Sequence, residues 1–422
     1  MSTEEITTVV IGDVALIVVV SWLLGAAARR CGQPAVIGHI VAGIAMGPTL
    51  LGRLPGDPTE RLFPSEVLPF LSVLSQIAIV LFMFVAGYEI DARQLRGGGR
   101  AAATVAVSAL LIPAGLSAGA VGLFHGTFAA VDPSRADGRP FVLFMMVATS
   151  ITALPVLVAI VRERRLTGTA EGTVATTAAG LMDVMAWLVL AAALAGTGHA
   201  PDLAWQVSLA LLAVFTAGMF LVVRPLLGWW LGHFRVAVAH QVTVALALAL
   251  GSAWVTASLG LHPVFGGLLA GLTMPRREGA PDPDVLRPME QSAGLLLPLF
   301  FVTTGLSFNI GSLDGSGGVL LVLILSIAIL GKIVPAYAAA RVSGLEPRPS
   351  ARVAALVNTR GLTELIVLNV ALEADVIGRE LFTVLVLMAL VTTLMTGPLL
   401  SRIGPREQAP TKEKQIQRSE RS

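Results

Sequence analysis

GTVATTAAGLMDVMAWLVLAAALA, residues Gly172 to Ala195, is an apolar run holding one charge, Asp183, about twelve residues from either end. At about 1.5 Å of rise per residue the run is long enough to cross a bilayer as a single helix. The carboxylate then lies near the midplane, where a charged side chain costs about 2.5–3.5 kcal/mol on insertion scales. Thr173, Thr176, Gly180, Asp183 and Trp187 recur at three- and four-residue spacing and share one helix face. Hydroxyls, a glycine notch and one carboxylate on a common stripe suit an ion or proton site better than a simple tie between helices.

The rest of the chain has the composition of a membrane protein. Its 422 residues are 55% hydrophobic and only 13% charged, with a mean hydropathy of +0.80. A soluble domain carries roughly twice that charge fraction. One cysteine, Cys31, excludes an intramolecular disulfide and a cysteine metal cluster. A net charge of +2 gives no argument for nucleic acid. Met1 to Thr8 is acidic, which does not read as a cleavable leader.

Hydropathy windows predict an all-α polytopic protein with about thirteen transmembrane helices. They cover roughly Val9–Ala28, Ala35–Leu51, Leu68–Tyr88, Ala101–Leu123, Phe141–Val161, Gly172–Ala195, Trp205–Val223, Val236–Leu259, His262–Met274, Ser292–Leu306, Val319–Arg341, Ala351–Leu372 and Leu381–Leu399. Residues 1–400 form one membrane domain on this reading, and 401–422 a short disordered cytoplasmic tail with no regulatory domain. An external N-terminus collects most arginines in the inner loops, Arg29, Arg100, Arg162, Arg164, Arg276 and Arg348 among them. The outer loops then keep only Arg53, Arg61, Arg135, Arg139 and Arg379. This bias predicts a multi-pass protein of a bacterial inner membrane with a cytoplasmic C-terminus.

Two short internal matches point to a repeat. LFMFVAGYEID (Leu81–Asp91) parallels LFFVTTGLSFN (Leu299–Asn309), and AGIAM (Ala42–Met46) parallels AGLTM (Ala270–Met274). The offset is seven spans. An odd offset inverts the second copy in the membrane, the arrangement known from several transporter folds. The same shift pairs spans 5 and 12, and both are interrupted at mid-depth. Span 5 carries ATSITALP (Ala148–Pro155), where Thr149, Ser150 and Thr152 precede a proline that cannot donate a helical hydrogen bond. Span 12 carries NTRGLTEL (Asn358–Leu365), with an arginine and a glycine at its centre. Two broken helices in symmetric positions are the best sequence pointer to a substrate site. Thr149, Ser150 and Thr152 join Asp183 as candidate ion- or proton-binding residues.

Three further charges sit at membrane depth. Arg360 and Glu364 are spaced i, i+4 and suited to pair, which reads as a structural brace for the broken helix. Lys332, near the centre of span 11, has no partner on its own helix, and neither does Asp183. The economical expectation is one shared cavity with the lysine as counter-charge to the aspartate. His39 and His262 read as helix-end or packing residues. No metal site and no cofactor are expected, because no metal-ligand pair of histidines is present.

GQPAVIGHIVAGIAMGP, SITALPVLVAIVRERRL, DVMAWLVLA, LFFVTTGL and NTRGLTELIVLNV together resemble the cation:proton antiporter-2 family, in the flavour of the plant cation/H⁺ exchangers. The resemblance covers Gly32 to Leu399. It implies a sodium/proton antiporter-like fold in which spans 5 and 12 cross. It also implies an elevator: core spans within 101–195 and 319–399 move against scaffold and dimer spans within 9–88 and 236–306, with span 7 as linker. In such a homodimer Asp183 would bind cation and proton in competition, and Lys332 would sit beside it. The sequence departs from the family at Met182, where Asp, Asn or Gln is usual, so the resemblance fixes neither ion preference nor stoichiometry.

The leading expectation is exchange of a monovalent cation, Na⁺ or K⁺, for protons by a secondary transporter in the lipid bilayer. An alternative on the same fold is proton-driven export of an ionophore-like or other small metabolite, to which an apolar Met182 would be suited. An intramembrane aspartyl protease would need a second mid-depth aspartate, and none is present. A channel would explain neither the lone titratable site nor the repeat.

Overall fold

The computed structural model describes residues 2–31, 33, 35–56, 58–89, 99–132, 136, 138–194, 205–233, 237–259, 262–277, 279–313 and 315–404. Asp91 of the first repeat and residues 405–422 of the expected tail lie outside them. Helices dominate the described residues. Its first elements are α1 (Thr3–Arg30), α2 (Ala35–Met46), the short α3 (Pro58–Leu62), α4 (Leu68–Glu89), α5 (Gly99–Leu123) and α6 (His125–Val131). Next come α7 (Arg139–Ser150), α8 (Leu154–Glu163) and α9 (Ala170–Leu194), which carries Asp183. Then follow α10 (Trp205–Gly218), a π-helical turn at Met219–Val223, α11 (Arg224–His233), α12 (Val238–Ser258), α13 (Pro263–Thr273) and α14 (Pro283–Leu306). The chain closes with α15 (Gly315–Val342), α16 (Pro347–Val357), α17 (Leu362–Glu373) and α18 (Arg379–Ile403).

Ten helices among the described residues are long and apolar enough to cross a membrane, and two more are apolar but shorter. Span 5 is split into α7 and α8, and span 9 is the short α13. The expected span Ser292–Leu306 is the second half of α14, whose first half carries Asp284, Arg287 and Glu290. Span 7 does not stop at Val223: its helix continues past Arg224 to His233. The last helix likewise runs to Ile403, into the stretch expected to be a disordered tail.

The helices pack as two groups. In one, α4 lies against α13 and α14, α2 against α1 and α14, and α12 against α13. In the other, α5 packs on α7, α9 and α15, and α16 packs on α9, α15 and α18. The groups meet along an apolar seam, with Trp187 edge-on to Phe265 at 5.9 Å between ring centroids. The π turn leans on the first group through Met219, which Ser252 Oγ approaches at 3.9 Å. Burial separates functional from peripheral helices: 94% of the apolar window in Pro347–Glu373 is enclosed by protein, against 6% in Ala210–Leu231. A largely unburied apolar helix needs lipid around it.

The repeat glycines decide how the first group closes. A Cβ on Gly305 would stand 2.1 Å from the Gly43 carbonyl carbon, so α2 and α14 cross backbone to backbone. A Cβ on Gly271 would stand 2.0 Å from the Phe84 carbonyl oxygen, and one on Gly87 2.3 Å from that of Leu268, so α4 and α13 cross the same way. The two matches found in the sequence thus exchange partners: each member of one pair packs on a member of the other. Small residues are what permit such close helix crossings in a bilayer.

The second group is tied at one end by a buried ion pair. Arg352 of α16 donates to Glu171 of α9 at 2.9 Å and, through its other terminal nitrogen, to the Gly404 carbonyl at 3.1 Å. That carbonyl lies just beyond α18.

Gly305→Val is expected to force α2 and α14 apart, at a cost of about 1–3 kcal/mol. Gly251→Val, at a position with nothing within 4 Å of the added Cβ, serves as control. Melting of the detergent-solubilised protein should fall for the first variant only; equal melting of both would show that the crossing tolerates a side chain.

Candidate functional site

The site begins where α7 stops. Ile151 turns to an extended backbone (φ −62°, ψ 147°), and α8 resumes at Leu154 with Pro155 in its first turn, where a missing N–H leaves no bond unmade. The second broken helix stops at Val357 and resumes at Leu362 after Gly361. The two breaks are strapped together. Ala153 N–H donates to the Thr359 carbonyl at 3.1 Å, and the Thr152 hydroxyl to the Val357 carbonyl at 2.7 Å. Gly361 is pressed so close that a Cβ would lie 2.7 Å from Val156 Cγ2.

Ending a helix inside the protein leaves carbonyls without partners. At the end of α7 two cations take them. Arg360 donates to the carbonyls of Ala148 and Thr149 and to Glu364 Oε1 at 2.7 Å. Lys332 Nζ donates to the carbonyls of Ser150 and Ile151 at 2.6 Å each. All three charged side chains are fully buried. Positive charge at a helix C-terminus also opposes the negative end of the helix dipole.

Asp183 lies on the other side of the crossing. The backbone N–H of Leu154, the first residue of α8, is directed at its carboxylate, so a half-helix N-terminus faces the anion. Oδ1 of Asp183 is buried and has no protein partner. The neighbouring Met182 is buried, with its sulfur 3.8 Å from the Thr152 hydroxyl.

Asp183 opens into a cavity of about 700 Å³. Thr173, Thr176 and Trp187 of the stripe singled out in the sequence line it, together with Thr177, Leu154 and Thr363. The cavity reaches Glu89 at the end of α4, Arg162 at the end of α8 and Gly168 in the following loop, so it extends to the arginine-rich face. Toward the opposite face lies a separate cavity of about 280 Å³, lined by Ser72, Ser75, Gln76, Thr303, Ser307, Asn369 and Glu373 among others. Here the two helix groups are bonded across the seam. Gln76 Nε2 donates to both Glu373 oxygens at 3.1 Å, His262 Nε2 is 3.3 Å from Glu373 Oε2, and Asn369 Nδ2 donates to Thr304 Oγ1 at 2.9 Å.

Lys332 and Asp183 lie within electrostatic reach of each other but form no salt bridge: the ammonium is engaged by carbonyls of the first break, and Lys332 does not line the cavity. Thr149, Ser150 and Thr152 do not line it either. The Thr149 and Ser150 hydroxyls donate to carbonyls four residues back, those of Met145 at 3.0 Å and Met146 at 2.6 Å, while Thr152 straps the crossing. Thr363 and Glu89 were not singled out in the sequence, and Arg162 was named there only as an inner-loop arginine. Thr363 alone had a signal, a hydroxyl two residues past the glycine of the second break.

Among the described residues no cluster of His, Cys, Asp and Glu side chains is arranged to hold a metal ion. Comparison with known proteins agrees with the geometry. Residues 15–404 match the family described as sodium/hydrogen exchanger, transmembrane. The Na(+)/H(+) antiporter NhaS4 of Synechocystis is 33% identical over 400 residues, covering 94% of this chain and 97% of that protein. Cation/H(+) antiporter 20 of Arabidopsis thaliana is 36% identical over 405 residues, covering 92% of this chain and 48% of its own length. The chain thus spans nearly all of the first relative and about half of the second. The sodium proton antiporter MjNhaP1 of Methanocaldococcus jannaschii has the same fold, with a TM-score of 0.67 at 16% identity over 93% of this chain and 96% of that one. A helical bundle of this topology, two broken helices crossing beside a mid-membrane aspartate and a match over nearly its whole length place the chain in the family of transmembrane sodium/hydrogen exchangers, multi-pass transporters rather than enzymes.

Proposed function

We propose that the protein exchanges a monovalent cation, Na⁺ or K⁺, for protons, with Asp183 carrying one or the other in turn. The observation that carries this reading is the unpartnered Oδ1 of Asp183 in a cavity that reaches one face. A buried carboxylate oxygen without a donor is a costly feature unless a ligand completes it. The relatives' names supply the chemistry: Na⁺/H⁺ exchange for NhaS4, cation/H⁺ exchange for the plant protein.

The two helix groups support an elevator. The group bearing α5, α7 to α9 and α15 to α18 is the moving core. The group bearing α1, α2, α4 and α12 to α14 is the scaffold and the dimer contact, and α10 with α11 links them. The Asp183 cavity opens on the arginine-rich side, which this reading takes as cytoplasmic, and the Glu373 bonds close the other. A stroke of the core breaks the bonds from Gln76, His262 and Thr304 and joins the smaller cavity to Asp183. A second reading, export of a small organic cation, is favoured by the cavity's size, well beyond a bare ion, and by its apolar wall of Met83, Trp187, Leu268 and Leu286. Competition between such solutes and Na⁺ or K⁺ in one proteoliposome preparation decides between the two.

Three outcomes test the mechanism. Asp183→Asn should abolish cation-driven proton flux while leaving melting and oligomeric state intact; substantial residual flux removes Asp183 from the mechanism. Exchange should also be electroneutral. Met182 supplies no second carboxylate, and the Lys332 ammonium is held by the Ser150 and Ile151 carbonyls, so the site carries one cation on one leg and one proton on the other. One net charge per cycle would couple to voltage at about 2.3 kcal/mol per 100 mV. The cation gradient that balances a fixed pH gradient should therefore not move when the membrane potential is clamped at different values. Finally, in a Cys31→Ser background, Glu373→Ala should speed labelling of Ser75→Cys by an impermeant thiol reagent from the side opposite the arginine-rich loops. Unchanged labelling would show that the Glu373 bonds do not hold that side closed.

A further inference from the structure

Thr363 is the second buried oxygen in the Asp183 cavity left without a partner. Its side chain is 1% exposed, lines the cavity, and its Oγ1 makes no hydrogen bond. Other buried threonines of the same helix group satisfy their hydroxyls on the carbonyl four residues back: Thr149 on Met145, Thr383 on Arg379, Thr392 on Met388, Thr393 on Ala389. Thr363 has no such recourse. It is the second residue of α17, so the residue four back, Thr359, lies in the break itself, and that carbonyl accepts from Ala153 N–H. The chain path that builds the crossing is therefore what strips this hydroxyl of its usual acceptor.

The same path brings Thr363 to the cavity that holds the aspartate. Gly361 presses on Val156 and Ala153, the residues on either side of Leu154–Pro155, and the Leu154 N–H is directed at Asp183. The starts of α8 and α17 thus open side by side onto the cavity that holds both oxygens. We propose that Thr363 is a direct oxygen ligand of the carried monovalent cation, opposite Asp183; this rests on the antiport reading above. Monovalent alkali ions are hard and take oxygen ligands. A hydroxyl supplies an electron pair without a charge, so it strengthens cation binding while leaving one titratable group to exchange the proton. It also fills on α17 the liganding role that Met182, buried against Thr152, does not fill on α9.

The test uses the full-length protein in proteoliposomes, with NaCl and KCl as probes against choline chloride. Thr363→Val, nearly isosteric and removing no protein hydrogen bond, should raise the cation KM about tenfold, the weight of one lost polar contact. The rise in KM should exceed any fall in kcat, and Thr363→Ser should restore it. In detergent, the stabilisation that the transported salt gives the wild type should require a correspondingly higher concentration in Thr363→Val. That shift can be read even if the variant transports poorly. An unchanged KM and unchanged salt stabilisation in Thr363→Val, with Asp183→Asn inactive, would overturn the Thr363 assignment and leave antiport standing, a bound water then being its partner. A Thr363→Ser variant as impaired as Thr363→Val would assign the residue to packing. Retained exchange in Asp183→Asn would instead overturn the underlying reading.

Discussion

Four carbonyls at the end of α7, and the arginine and lysine that receive them, are the constraint on which the site depends. A helix cannot stop in the interior of a membrane protein unless its last acceptors are met. Arg360 and Lys332 meet them from two different helices, α15 and the second break, so three chain segments are fixed at one point. Once α7 stops there, α8 must begin a few residues later, and its N-terminus falls against Asp183. The aspartate thus gains its environment as a consequence of how the lysine and arginine are used. Removing either cation would leave buried carbonyls unpaired, which predicts structural damage before any change in ion chemistry.

This arrangement separates two tasks that might have been shared. Arg360, Lys332 and Glu364 hold the crossing, and none of the three lines the cavity. Around Asp183 the cavity presents hydroxyls and apolar walls, and its other charges, Glu89 and Arg162, belong to its arginine-rich end. A carrier that swaps one cation for one proton needs little else, because the occupied site has the same charge on both legs. The buried pair of Arg360 and Glu364 belongs to the first task, its geometry that of an i, i+4 contact within the broken helix.

Much of this was legible in the sequence, and the part that was not has a physical cause. Asp183 stood out by its expected depth and the broken helices by Pro155 and Gly361, while the short matches were read only as a repeat and not as helix crossings. Depth and helix breaks are features that composition along the chain reports directly. The carbonyl partners of Lys332 were not foreseen, because hydropathy gives the depth of a residue and not the direction it faces. Two unpaired opposite charges at one depth look like a pair, while backbone carbonyls, the actual acceptors, leave no mark in the sequence. Thr149 and Ser150 were read as ligands for a related reason. A hydroxyl near a helix break can turn outward or bond back to its own helix, and residue type does not distinguish the two. Thr363 was overlooked because its isolation follows from the missing carbonyl at Thr359, a property of the path.

The tie between Arg352, Glu171 and the Gly404 carbonyl gives the end of α18 a mechanical address. Residue 404 is thereby tied to α16 and α9, helices of the group that surrounds Asp183. If the proposed elevator holds, a bulky fusion attached there adds drag to the part that must travel, and a tether that grips it stalls transport without approaching the ion path. The N-terminus, on α1 of the other group, has no such leverage. On that reading the choice of which end to tag or to immobilise is a choice between loading the piston and holding the cylinder.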